Sequence, residues 1–459
     1  MLPRSCGSLW AGAALLPEGW AADLRIEMQD GRISAITRGA SPRADEPRAQ
    51  ILLPGMPNVH SHAFQRGMAG LTEYRGPAAD NFWSWRSLMY RFVARMTPED
   101  LEAVTRWAFV EMLEAGFTRV AEFHYVHHDV DGKPYADRAE LASRVVAAAE
   151  QSGIALTLLP VFYAHGGFGA AAPQEGQRRF IHDVPGYARL LQDSRALAAA
   201  LPDAIVGLAP HSLRAVSPEE LRDLLPLAGD APIHMHAAEQ IAEVEQCLAW
   251  SGSRPVQWLL DHAPVGDRWC LIHATHVDEA EVVRLAASGA MVGLCPVTEA
   301  NLGDGVFPAS RYLAAGGRVG IGTDSNVAIG VSEELRQLEY SQRLRDRARN
   351  VIAGDRPATG RVLYESAWRG GSQACGLDTA AAGITVGAAA DFVSLNADAP
   401  LLAERSGDAW LDSLVFAGAR DAIDGVWRAG RQWVERGRHV RRDEAERAWR
   451  DTLARLLRE

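Results

Sequence analysis

Eight short apolar runs, separated by helix-forming stretches, limit what this chain can fold into more than any other feature of it. They cover residues 51–54, 119–123, 155–162, 205–209, 233–237, 270–273, 291–295 and 319–322. Between them lie segments such as 98–114 and 218–227, which open on Thr-Pro and Ser-Pro followed by acidic residues. Proline in the first turn and negative charge at the positive end of the helix dipole are helix-start signals. Strand–helix alternation repeated eight times predicts an α/β fold, a parallel (β/α)8 TIM-like barrel. An open doubly wound sheet would carry a glycine-rich phosphate turn after its first strand, and none follows here.

The two ends of the chain have a different texture. Residues 20–37 alternate about an Asp30-Gly31 turn, which is a hairpin pattern. Near the other end, Gly387-Ala-Ala-Ala-Asp391 leads into Phe-Val-Ser-Leu, and Gly425-Val-Trp-Arg-Ala-Gly430 leads into Trp433-Val434. These short strands predict one small β-sandwich domain built from both termini, residues 1–52 and 381–442. It flanks a barrel over 53–380 and is followed by a C-terminal helix over 443–459. At 459 residues the chain exceeds one ordinary core, and 47% apolar content is enough to fill two.

A net charge of −11 repels nucleic acid and anionic membrane surfaces. No apolar run approaches the ~20 residues of a membrane span. The expected partner is a small molecule, and an anionic one has to be caught by a few placed cations. The five cysteines are odd in number and form no CxxC pair, which fits a reducing cytoplasm better than a disulfide framework. The apolar run 9–16 follows Arg4 but stops at Pro17-Glu18, so it reads as a strand rather than a leader.

Polar residues stand at the ends of the apolar runs. The first continues into Pro57-Asn-Val-His60-Ser-His62, and residues i and i+2 of a strand face the same side. The fifth gives His234-Met-His236-Ala-Ala-Glu239, the sixth His273-Ala-Thr-His276, and the eighth Gly322-Thr-Asp324-Ser. Barrel enzymes place their active sites at these carboxyl ends. Three imidazoles and a carboxylate suit Zn2+, each at about 2.0–2.2 Å, so His60, His62, His236 and Asp324 are the expected ligands. Fe2+ or Mn2+ would accept the same donors. His234 lies deeper and is expected in the barrel interior.

The segment Pro54-Gly-Met-Pro-Asn-Val-His60-Ser-His62, with His236-Ala-Ala-Glu239, His273 and Asp324, resembles the mononuclear amidohydrolase deaminases. Binuclear members of that superfamily bridge two metals with a carboxylated lysine. Lys133 is the only lysine here and sits at no strand end, which favours one Zn2+ per chain. Longer motifs are similar to those of the formimidoylglutamate deiminases. They are Phe64-Gln65-Arg66, Phe82-Trp-Ser-Trp-Arg86, Ala121-Glu-Phe-His-Tyr125-Val-His-His, His211-Ser-Leu-Arg214 and Thr298-Glu-Ala-Asn301-Leu-Gly-Asp304-Gly.

That resemblance implies conversion of N-formimino-L-glutamate and water to N-formyl-L-glutamate and ammonia, a step of histidine breakdown, by a homodimer. It implies that Asp324 accepts a proton from water, that His273 polarises the imine, and that Glu239 carries a proton to the leaving nitrogen. It implies that Gln65, Arg86, Tyr125, His211 and Arg214 bind the substrate, the two arginines as bidentate partners of its carboxylates. The resemblance also leads one to expect Asp-Ser-His after the last strand, where this chain has Asp324-Ser325-Asn326.

Several other residues draw weaker expectations. Glu299 and Asn301 are read as lining the pocket, His276 as orienting His273, and His127 and His128 as loop residues. A deaminase of an aminated heterocycle such as guanine or cytosine would share the metal set, and Trp83 and Trp85 offer it stacking surfaces. A non-catalytic barrel would have lost a ligand or Glu239, and both are present.

Overall fold

In the computed structural model, which describes residues 3–75, 81–379 and 382–458, the central alternation forms eight parallel barrel strands. They are β1 Met56–Ser61, β2 Phe117–His124, β3 Ala155–Phe162, β4 in two short pieces (Ile205–Val206 and Ala209–Pro210), β5 Ile233–Ala237, β6 Trp269–His273, β7 Met291–Leu294 and β8 Arg318–Ile321. The hydrogen-bonded order runs β4-β3-β2-β1-β8-β7-β6-β5. The ring closes between β4 and β5, where Leu208 N–H donates to Pro232 O at 2.9 Å and His234 N–H to Leu208 O at 2.9 Å. Every residue of β1, β2, β3, β5, β6 and β7 is buried, as expected of a parallel sheet covered by helices outside and packed side chains within.

The first apolar run does not belong to this ring. Arg48–Pro54 is a strand of the second sheet, antiparallel to Phe392–Leu395 and parallel to Ser8–Leu16. The barrel begins only after Gly55, on a segment whose Asn58 and His60 interrupt the apolar pattern. A short apolar run looks the same in either sheet, so periodicity alone placed it one strand too late. Gly55 forms the joint, and a Cβ there would lie 2.2 Å from Thr118 Oγ1.

The second sheet joins the two ends of the chain. Its nine strands form one hydrogen-bonded assembly that includes Ser8–Leu16, Gly19–Gln29 and Arg32–Arg38 from the N-terminal part, and Phe392–Leu395, Ile423–Arg428 and Arg431–Glu435 from the C-terminal part. Side chains from both parts, among them Leu24, Ile33, Phe392 and Trp427, share a single buried cluster. The C-terminal helix Arg442–Leu456 packs on the barrel helix Pro98–Glu114, with Trp449 stacked on Trp107 at 6.1 Å. That barrel helix starts as the sequence predicts, with Thr97 and Asp100 forming a reciprocal cap ahead of Pro98. Among the described residues no helix is long and apolar enough to cross a membrane.

Candidate active site

The strand ends of the barrel gather one dense group of ionisable side chains. His60 lies on β1 and His62 just beyond it, His236 on β5, His273 at the end of β6, and Asp324 past β8; each is at most 5% exposed. His60 Nε2 is 3.0 Å from His236 Nε2 and 3.5 Å from Asp324 Oδ1. His62 Nε2 is 3.3 Å from Asp324 Oδ1. Two donors bound to one ion at about 2.1 Å lie roughly 3.4 Å apart in a tetrahedral arrangement. The observed spacings are therefore those of ligands around a common centre.

The outward faces of the rings set their tautomers. His62 Nδ1–H donates to Phe123 O at 2.9 Å and His236 Nδ1–H to His211 O at 3.1 Å. Burial depresses the pKa of His60 to about 3 and lowers those of His62 and His236, so these rings are neutral. Neutral rings that donate through Nδ1 present an Nε2 lone pair inward. Burial works against ionisation of Asp324, but the facing imidazoles of His60, His273 and His62 outweigh it and hold the carboxyl below the usual carboxylate range. Converging lone pairs beside a carboxylate, at the foot of a cleft, fit a divalent cation.

The sequence assigns His60, His62, His236 and Asp324 as ligands with His273 beside them; the set of four that converges here includes His273 in place of His62. The ligating atoms of His60, His236, His273 and Asp324 all lie within 4.8 Å of one another. His273 differs from the rest in its surroundings. Its Nδ1 is 3.1 Å from Glu299 Oε1, and its Nε2 is 3.8 Å from Glu239 Oε1 and 3.9 Å from Asp324 Oδ2. Burial opposes its charge, but these three carboxylates prevail and raise its pKa to about 10. Glu239 lies across from it, raised by burial to about 7 against the pull of His273 and Arg214.

Local backbone conformation aims these groups. Ala238, His273, Ala274, Asp324 and Asn326 all have φ between 45° and 69°, the left-handed region that non-glycine residues avoid. Such strain persists where hydrogen bonds over-determine it. At Ala238 they come from Glu243, whose carboxylate accepts the N–H of Ala238 at 3.0 Å and of Glu239 at 3.2 Å.

The residues expected to bind substrate line the cleft beside this centre. Gln65, Arg86, Tyr125, His211 and Arg214 share it with His62, His236, Glu239 and Asp324. Gln65 Nε2 donates to Tyr125 Oη at 2.8 Å, leaving Gln65 Oε1 buried without a partner. Arg86 sits on the helix Phe82–Val93, its guanidinium 4.4 Å from the Trp83 ring centre and 5.6 Å from that of Tyr90. Arg214 is buried; its nearest carboxylates are Glu239 at 3.8 Å and Glu243 at 3.9 Å, and its Nε is unpartnered.

Other expectations fare unevenly. His234 donates to Ala374 O inside the barrel, in keeping with an interior role. Glu299 orients His273 rather than simply lining the wall. Asn301 is bonded to Glu73 on the surface, and it is Leu302 beside it that faces the cleft. Among the described residues no hydrogen bond joins His276 to His273. Tyr163 and Phe180 line the cleft without having been singled out from the sequence.

Comparison with known proteins points the same way. The amidohydrolase family matches residues 51–433, and a formimidoylglutamate deiminase N-terminal domain matches residues 8–50. A formimidoylglutamate deiminase of Pseudomonas aeruginosa is 51% identical over 454 residues, covering 98% of this chain and 99% of that protein. An amidohydrolase from Brucella melitensis superposes with a TM-score of 0.95 at 55% identity, over 98% of this chain and 100% of that one. An adenosine deaminase from Xanthomonas campestris with bound zinc shares the fold, with a TM-score of 0.79 at 23% identity, over 99% of this chain and 100% of that one.

Proposed function

The chain belongs to the amidohydrolase family, and from that premise we propose that it hydrolyses N-formimino-L-glutamate to N-formyl-L-glutamate and ammonia. The observation that carries this reading is the meeting, in one cleft, of a cation-ready cluster with two guanidiniums, Arg86 and Arg214, suited to a substrate bearing two carboxylates. His60, His62, His236 and Asp324 hold one Zn2+. When bound, the cation acidifies water and makes it a nucleophile at neutral pH.

The chain's own groups do the rest. Arg86 and Arg214 bind the carboxylates, and Gln65, Tyr125 and His211 fix the formimino end. Water adds to the formimino carbon as Asp324 takes its proton. His273, kept protonated by Glu239, Glu299 and Asp324, donates toward the developing charge on the tetrahedral centre. Both protons of the water end on the leaving nitrogen, the one taken by Asp324 and the one lost from the hydroxyl as the carbonyl forms, with Glu239 as the carrier; the C–N bond breaks and ammonia leaves. The same reading makes the enzyme a cytoplasmic homodimer.

A heterocyclic substrate is disfavoured by one contact. Trp83 carries Arg86 on its ring and is not part of the cleft lining, so Trp85 is the one of the two tryptophans left there for a flat base, beside two guanidiniums that such a base would not pair. The deciding experiment supplies the zinc-loaded protein with formiminoglutamate and, separately, with guanine, cytosine and adenosine. Ammonia together with N-formylglutamate is expected from the first alone. Faster ammonia release from a base would overturn the assignment.

A further inference from the structure

Asn326 occupies the position where the resemblance leads one to expect histidine. It is fully buried, and its φ of 56° lies in the left-handed region that asparagine adopts more readily than most residues. Both ends of its amide are used. Nδ2 lies 3.1 Å from Ser61 Oγ, 3.1 Å from His62 O and 3.0 Å from Asp324 O, two protons shared among three acceptors. Oδ1 accepts from Thr323 Oγ1 at 2.6 Å, and Thr323 Oγ1 accepts from Asn58 Nδ2 at 2.7 Å. Asn58 Oδ1 in turn accepts the N–H groups of His60 and Thr323, each at 3.2 Å. The Asn326 carbonyl accepts from Arg66 Nη1 at 2.8 Å, while Arg66 grips Glu111 with Nε and Nη2.

This network lies on a seam whose regular strand ladder is short. Strands β1 and β8 share one registered pair, Asn58 with Ile321, and one isolated bridge, Ser61 with Asp324. By comparison, β2 and β3 share six pairs. Yet this seam carries His60, His62 and Asp324, three of the four groups assigned to the cation. Past the short ladder the two strand ends are tied by three main-chain hydrogen bonds, His62 N–H to Asp324 O at 2.9 Å and the N–H groups of Thr323 and Asp324 to His60 O at 3.0 and 2.9 Å, and the Asn326 amide adds side-chain donors to carbonyls on both sides of them.

We propose that Asn326 is a positioning residue for the cation. By donating to the carbonyls of His62 and Asp324 it fixes the β1 imidazoles relative to the β8 carboxylate. The amide neither ligates nor titrates, so it acts only through the two strand ends it joins. This inference rests on the proposed cation site but not on the identity of the substrate.

The test measures zinc affinity by chelator competition on the purified full chain, for Asn326→Ala, Asn326→Asp and Thr323→Val. Partners that orient metal ligands are typically worth 10–100-fold in affinity, and a loss of about that size is expected for both Asn326 variants. Thr323→Val, which removes only the support of the amide oxygen, should lose less, about 3–10-fold, in the same direction. kcat should fall with the metal while KM stays within about twofold.

Zinc affinity within twofold of the parent in either Asn326 variant would overturn the proposal, even if the zinc-free melting temperature had dropped. Should neither Asn326 variant fold, unchanged affinity in Thr323→Val would overturn it instead. Weakened zinc binding in the variants of a parent that does not turn over formiminoglutamate would uphold the brace and sink the substrate reading. A parent that takes up no divalent cation would overturn both.

Discussion

The cation corner and the substrate wall of the same cleft are built by opposite rules. At the corner, the rings of His62, His236 and His273 are anchored on the side away from the centre, by Phe123 O, His211 O and Glu299. Their positions descend from strands, the most rigid elements of the barrel. On the wall, Arg86 has no carboxylate partner among the described residues and rests on aromatic faces. Arg214 is a buried cation whose nearest carboxylate oxygens stand 3.8 and 3.9 Å away, beyond hydrogen-bond reach. A buried guanidinium with an unpartnered N–H is costly unless something arrives to satisfy it. On the proposed reading the corner is preorganised by its own hydrogen bonds, whereas the wall gains its carboxylate partners from the substrate.

Glu239 stands where the two regions meet, and its removal should separate them most sharply. Glu239→Gln keeps the shape and the N–H contacts to Glu243 but cannot shuttle a proton. Positioned proton transfer is worth roughly 10²–10⁴ in rate, and kcat should fall by about that factor. Zinc content should hold, because no assigned ligand is changed, and KM should move far less than kcat, because Arg214 loses only the charge of a carboxylate 3.8 Å away. Metal analysis beside steady-state kinetics checks both halves. A kcat within a few-fold of the parent would remove Glu239 from the mechanism, and lost zinc would place it in the corner rather than at the junction.

The same contrast explains what could be read from the sequence. His60 and His62 are legible because the two-residue period of a strand is a property of the backbone, independent of the partners. Asp324 is legible because it follows an apolar run by two residues, and His236 because it stands near the carboxyl end of one. Glu299 and Glu243 are not, since their roles depend on the chain turning back through left-handed residues at Ala238 and Ala274, which no apolar pattern announces. Asn301 was misplaced by one residue of helix phase, about 100°, enough to exchange the cleft for the surface. The wall residues Arg86 and Tyr125 owe their legibility to resemblance, because a single arginine on a helix carries no periodic signal.

Arg214→Met probes the wall alone. Methionine fills most of the volume and removes the charge. A hydrogen bond to a charged group is worth about 1.5–3 kcal/mol, so KM for formiminoglutamate should rise roughly 10- to 100-fold. kcat should change less than KM, and zinc should stay bound. The comparison breaks if KM is unchanged, since Arg214 would then belong to the resting packing of Glu239 and Glu243 and not to the substrate.

The smallest effect is expected from Trp83, which touches neither the ion nor the substrate carboxylates. Its ring centre lies 4.4 Å from the Arg86 guanidinium and 5.8 Å from that of Arg214, so one indole neighbours both cations. Cation–π contacts of this kind contribute about 0.5–2 kcal/mol, and Trp83→Leu removes them while keeping an apolar residue on the same helix turn. A freed Arg86 reaches more rotamers, and the entropy of fixing it again is then lost on binding. KM for formiminoglutamate should rise about 3- to 10-fold with kcat nearly constant. The spacing of the two cations also relaxes, so the penalty against a substrate one methylene shorter, formiminoaspartate, should shrink relative to the parent. If KM rises but that preference is untouched, Trp83 supports the arginines without setting their separation. If neither moves, the wall holds its cations by some other means, and its contrast with the corner is weaker than the geometry implies.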